Sequence, residues 1–198
     1  MVRTMLDMLV MIGALVIGIL FGRFFNFKVP GDMITLILML LVFFVGVDIG
    51  REEGILKRLK SNLFSILSQT IMIILGTFCF SALASFFMPF SIKETVGAAA
   101  GFGWYSLSGV MISSLHSPLL GTVSFVSNVF RELLSILLIP VLAKINQRAA
   151  VSIAGATSMD VLLGLCSKNT TRDNTLIAFG QGVLLSLSVP VFISLIFM

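Results

Sequence analysis

The sequence predicts an all-α polytopic membrane protein, and three observations carry that prediction. Of 198 residues, 58% are hydrophobic and only 11% charged, with a mean hydropathy of +1.11. Soluble domains carry about 25% charged residues, so that class is excluded. The apolar residues also fall in runs long enough to cross a hydrocarbon core of ~30 Å as helices, which takes about 20 residues each. Finally, those runs are continuous, whereas barrel strands alternate apolar and polar residues in short segments. No polar stretch is long enough for a separate soluble domain, so residues 1–198 read as a single transmembrane domain.

Seven hydrophobic segments follow one another. The first runs from about Met5 to Phe21, with Gly13, Gly18 and Gly22 offering small faces for helix contact. Arg3 precedes it as in a signal peptide, but Gly22-Arg23-Phe24-Phe25 stands where a small-residue cleavage site belongs, so the segment reads as a retained helix. Pro30-Gly31 breaks the chain before the second segment, Met33 to Ile49, which ends on Asp48. The most charged loop, Arg51 to Asn62, leads to the third segment, Leu63 to Met88.

The fourth segment, Thr95 to Leu115, differs in kind. It opens Gly97-Ala98-Ala99-Ala100-Gly101-Phe102-Gly103 and continues Trp104-Tyr105-Ser106-Leu107-Ser108-Gly109. A regular apolar helix follows at Thr122 to Leu142 and contains Asn128, Arg131 and Glu132. The sixth, Val151 to Cys166, is short and interrupted by Gly155-Ala156-Thr157-Ser158-Met159-Asp160. The seventh runs from Thr175 to the C-terminus and carries Gln181 and Pro190. If every segment spans, the loops holding Arg3, Arg51, Lys57, Arg58, Lys60, Lys168 and Arg172 share one side, against Arg23, Lys28, Lys93, Lys144 and Arg148 on the other. The excess of positive charge then places the N-terminus in the cytoplasm and the C-terminus outside.

An ionisable group at the bilayer centre costs roughly 2.5–3.5 kcal/mol on insertion scales and persists where it faces a polar cavity or a partner. Glu132, beside Arg131, is such a group. Asn128, Glu132 and Ser135 are spaced i, i+4, i+7, so one face of that helix is polar and able to line a pathway. An ion pair that only holds the bundle together is the plainer reading, though it does not call for Asn128 and Ser135 on the same face. Asp160 sits in the interrupted sixth segment, after Thr157 and Ser158. Two glycine-interrupted segments separated by one regular helix point to a transporter binding site near the midplane, where broken helices expose backbone groups to an ion or substrate. Asp160 also fits a helix cap or an interfacial acid.

Trp104 and Tyr105 are the only Trp and Tyr of the chain. They read equally as interfacial aromatics or as a cation–π wall for an ammonium or guanidinium. Ser106 and Ser108 follow on the same segment. Asp48 lies near Arg51, Glu52 and Glu53 and reads as a solvated acid, and Gln181 as a polar link between helices. His116 has no second ligand, and Cys79 and Cys166 lie in separate apolar segments, so neither a metal nor a disulfide is expected. No basic patch with interleaved aromatics suggests a nucleic-acid partner. An intramembrane serine protease is disfavoured because His116 follows Ser108 on the same segment, and an aspartyl protease because Met159 and Ser158 precede Asp160 in place of a Gly-x-Gly element.

The runs Gly101–Gly109, Arg131-Glu132-Leu133 and Gly155–Asp160, in that order, resemble the signature of the lysine exporter LysO family. The resemblance implies an inverted-repeat transporter of the inner (plasma) membrane that exports lysine, and analogues such as thialysine, without a cofactor. It implies functional acids at Glu132 and Asp160, with a proton or another cation as the coupling ion. Because single-chain members are longer at the N-terminus, it further implies the larger half of a split exporter, completed by a small membrane protein or by a homodimer. A channel-like or scaffold subunit is the alternative from another class.

Overall fold

The computed structural model describes residues 60–198 continuously and, before them, scattered helical positions between residues 13 and 57. The chain divides into two units, Met1–Glu52 and Glu53–Met198. Asp48 lies outside the described residues. Within the second unit the described residues are helical, with no strand among them, as expected of an all-α membrane protein.

Among the described residues, three helices are long and apolar enough to cross a bilayer. The first, α1 (Leu63–Ala84), is extended by a 3₁₀ turn at Ser85–Phe87. Two short helices follow, α2 (Ile92–Ala99) and α3 (Tyr105–Leu115). The second long helix, α4 (Pro118–Leu142), starts with Pro118 in its first turn and with Ser117 accepting a hydrogen bond from the Leu120 amide. Two more short helices, α5 (Gln147–Ile153) and α6 (Leu163–Asn169), flank a 3₁₀ turn at Gly155–Met159. The third long helix, α7 (Arg172–Phe197), completes the chain.

The short helices fold back on themselves. At 1.5 Å per residue, the 8 residues of α2 and 11 of α3 cannot each cross ~30 Å. Their outer ends meet: the Glu94 carboxylate and the His116 imidazole are 2.9 Å apart. Hydrogen bonds to Glu94, foremost from His116 and then from Ser91, hold its carboxyl at about 2, well below its ordinary value. Ser91 and Glu94 form a reciprocal capping box that starts α2 at this end. The α5–α6 pair closes in the same way at the other face, where Gln147 Oε1 accepts hydrogen bonds from the Thr171 amide (3.0 Å) and from Asn174 (2.8 Å).

The second unit is therefore built from two successive pairs, each a long helix followed by a helical hairpin. α1 leads to the hairpin α2–α3, and α4 to the hairpin α5–α6, the two pairs running in opposite directions. α7 begins at the face of Gln147 and ends beside His116, whose ring lies 5.0 Å from that of Phe197. The fourth and sixth apolar segments thus return to the face they start from instead of running through. Lys144 and Arg148 accordingly join Lys60, Lys168 and Arg172 at one face, and Lys93 stands at the other. If all seven segments cross, Lys144 and Arg148 stand opposite Lys168; the difference arises because two half-helices joined by an apolar turn have the length and composition of a single span.

Cysteines placed singly at Lys144, Lys168 and Lys93, in a background lacking Cys79 and Cys166, test this arrangement. Labelling of intact cells with a membrane-impermeant maleimide is expected to treat positions 144 and 168 alike and position 93 oppositely. Different reactivity at 144 and 168 would restore a crossing sixth segment.

Candidate functional site

The two hairpin tips meet. In the first, α2 ends at Ala99 and the chain turns through Gly101-Phe102-Gly103 with Phe102 at φ 47° and Gly103 at φ 106°. A left-handed conformation is costly for phenylalanine. It is held by packing: Phe102 is fully buried between Phe78 of α1 (centroids 5.7 Å apart) and Phe192 of α7 (6.0 Å). The Phe102 carbonyl accepts a hydrogen bond from the Ala156 amide of the second tip at 2.8 Å. Gly155 supplies the close approach. Its φ is +62°, and a Cβ there would collide with the Phe102 carbonyl and lie 3.0 Å from the Arg131 guanidinium.

One stripe of α4 holds both tips. Gly121, Ser124, Asn128, Glu132, Ser135 and Ile139 are its buried residues beyond Leu120, recurring every three or four positions. Asn128 Oδ1 accepts from the Gly103 amide (2.7 Å), while its Nδ2 donates to the carbonyls of Ser124 (2.9 Å) and Ala98 (3.2 Å). Ser124 donates to Ala98 (2.8 Å) and reaches Ser108 Oγ at 3.2 Å. These contacts fix the first hairpin. Two turns further on, Ser135 lies within hydrogen-bonding distance of the carbonyls of Ile153 (2.9 Å) and Arg131 (2.7 Å), and Arg131 Nε lies 3.4 Å from the Ile153 carbonyl, fixing the second.

Glu132 lies between those two sets of contacts. It is 4% exposed, and its Oε2 has no hydrogen-bond partner among the described residues. Asp160, just past the second tip, acts on it electrostatically, and both carboxylates act on Tyr105. Asp160 is exposed, and one of its oxygens accepts from the Val161 amide at 2.6 Å. It is thus not buried like Glu132, because the 3₁₀ turn ends there and projects it from the hairpin. Two acids and a phenol that act on one another electrostatically are suited to hold an organic cation or a proton.

The other expected residues divide. Trp104 and Ser106 are half-buried on either side of Tyr105, whose ring packs edge-on against Phe125. Ser108 is buried under Ser124. Thr157 and Ser158 belong to the second tip, with hydroxyls bonded within it, Thr157 to the Ala154 carbonyl (2.7 Å) and Ser158 to that of Gly155 (2.7 Å). Arg131 makes no ion pair with a described acid. Gln181 is fully buried against the second hairpin, donating to the Val151 carbonyl at 2.6 Å. Sequence reasoning missed Ser124 and Phe102. Ser124 could have been found by extending the Asn128 stripe one turn back, whereas nothing local marks Phe102.

A multi-pass helical membrane protein with two broken hairpins converging on intramembrane acids is a transporter-like architecture. The family model described as "Lysine exporter LysO" matches residues 12–197, and the chain belongs to that family. It is 31% identical over 193 residues to the Lysine exporter LysO of Escherichia coli (strain K12), an alignment covering 96% of this chain and 64% of that protein. It is also 31% identical over 183 residues to a "Putative lysine exporter" of Haemophilus influenzae, covering 91% of this chain and 93% of that one. The chain thus spans a little under two thirds of the E. coli protein's length. No solved structure matches.

Two substitutions probe the junction. Asn128→Ala leaves the buried Gly103 amide without its partner, while the Ala98 carbonyl keeps its hydrogen bond from Ser124, at a cost of about 1–3 kcal/mol for the unsatisfied amide. The melting temperature of the purified protein should fall accordingly. Gly155→Ala forces a Cβ into the Phe102 carbonyl in a left-handed backbone, and the same measurement should show a loss at least as large as for Gly103→Ala, whose Cβ would meet nothing closer than 3.6 Å.

Proposed function

We propose that this chain is the core of a secondary transporter that exports lysine, and analogues such as thialysine, from the cytoplasm. The observation that carries the reading is Glu132: a carboxylate buried between two hairpin tips, with an oxygen left without a partner beside Asp160 and Tyr105. A buried charge without a partner is expensive, and an ammonium or a proton relieves it. Two acids suit an exchange in which the cationic substrate and a proton occupy the carboxylates in turn, so that entry of a proton from outside displaces lysine. Alternating access then follows from small movements of one hairpin against the other that expose Glu132 to one face at a time.

The orientation follows from the loops. Lys60, Lys144, Arg148, Lys168 and Arg172 crowd one face and Lys93 stands at the other, so the first face is cytoplasmic. α7 then ends outside, and the loop charges of the sequence favour a cytoplasmic N-terminus. The whole chain acts as one transporter domain in the inner membrane, working with a small membrane protein or a second copy.

Lysine efflux and thialysine resistance in a strain without its own exporter test the reading, with the chain expressed alone and with a small membrane protein encoded beside it. Glu132→Gln and Asp160→Asn should each reduce both to the level of the empty vector while the protein still accumulates in the membrane. Unchanged resistance in both variants would turn the reading towards a scaffold role.

A further inference from the structure

Behind the second tip, away from the Glu132 stripe, the hydrogen-bond balance does not close. Ser158 Oγ lies 2.7 Å from the Gly155 carbonyl and 2.6 Å from the Ala178 carbonyl of α7. A hydroxyl has one proton to give, so one of these two short oxygen–oxygen contacts lacks it. Gln181 Nε2 donates to the Val151 carbonyl at 2.6 Å and lies 3.4 Å from Ser158 Oγ, while Gln181 Oε1 is buried with no partner among the described residues. Ser158, Gln181, Val151 and Ala178 are all fully buried. Gly182 makes the approach possible, since a Cβ there would come 2.7 Å from Ser158 Oγ. The cluster therefore holds one orphan oxygen, Gln181 Oε1, beside a hydroxyl shared between two carbonyls, in a place water does not reach freely, backed by the apolar cluster of Val151, Ala154, Leu162, Cys166 and Ala178.

We propose that these oxygens form a sodium site: Ser158 Oγ, Gln181 Oε1 and the carbonyls of Val151, Gly155 and Ala178. Turning the Gln181 amide over brings Oε1 to the position now held by Nε2, so that it faces Ser158 Oγ and the Val151 carbonyl together. All five ligands are hard, neutral oxygens, which suit an alkali or alkaline-earth cation and not a transition metal. Unwound backbone of a broken membrane helix is the kind of segment that coordinates sodium. The Arg131 guanidinium on the other side of Gly155 adds positive charge nearby, which favours a single charge over a double one. With no carboxylate in the set, affinity is modest. A cation here ties the second tip to α7. It rests on the transporter reading only for its consequence, which is that sodium occupancy sets the mobility of that hairpin.

The test uses the purified full chain in lipid nanodiscs and its melting temperature in NaCl, KCl or choline chloride at equal ionic strength. Sodium should raise it saturably, by about 3 °C at tenfold over the dissociation constant, since ligand binding stabilises by RT ln(1 + [L]/Kd). Gln181→Met and Ser158→Ala should abolish the sodium response while keeping a cooperative transition in choline. Equal melting in all three salts would mean that a water satisfies these atoms and would overturn the site, as would a sodium response retained in Gln181→Met. Lysine efflux is measured separately. Loss of the sodium response with efflux intact removes only this site, whereas a sodium response without lysine efflux removes only the lysine reading.

Discussion

Everything in the second unit depends on the need to satisfy backbone polar groups where there is no water. In hydrocarbon an unmade backbone hydrogen bond costs several kcal/mol, so broken helices persist only where protein supplies the missing partners. Here the supplier is a single stripe of α4. Asn128 occupies the amide of Gly103 and the carbonyl of Ala98, and Ser135 with Arg131 occupies the carbonyl of Ile153. The tips then satisfy each other through the Phe102 carbonyl and the Ala156 amide. Remove the stripe and neither hairpin has a reason to remain inside the membrane.

That constraint also accounts for the position of Glu132. A stripe that holds one hairpin above and another below leaves one helical turn between them, and Glu132 occupies it. Its neighbours are committed to structure, so the carboxylate is the member of the row with capacity to spare. Asp160 and Tyr105 approach from the two hairpins, one from each. The three groups thus come from three different elements, α4, α3 and the turn after the second tip.

Much of this was legible in the sequence. The polar face of Asn128, Glu132 and Ser135 was visible from spacing, because the structure keeps that helix regular. The two glycine-rich interruptions were visible because Gly101–Gly103 and Gly155 break any apolar helix. Direction was not visible. Thr95 to Leu115 has the length and hydropathy of a span, and its reversal rests on a contact between Glu94 and His116 and on the aromatic packing of Phe102, neither of which leaves a local mark. The depth of Asp160 was hidden for a related reason: the 3₁₀ turn at Gly155–Met159 changes where the next side chain points. Gln181 read as a link between helices, and its orphan oxygen appears only once the Ser158 contacts are known.

Hydrogen exchange at the two tips measures the central claim directly. The Gly103 and Ala156 amides lie in irregular backbone, yet on this account both are bonded and should exchange as slowly as amides in the middle of α4. Breaking the stripe at Asn128 should accelerate both together, including Ala156, which Asn128 does not touch. Rapid exchange of these amides in the unaltered protein, or acceleration confined to Gly103, would contradict the joining of the two hairpins through α4.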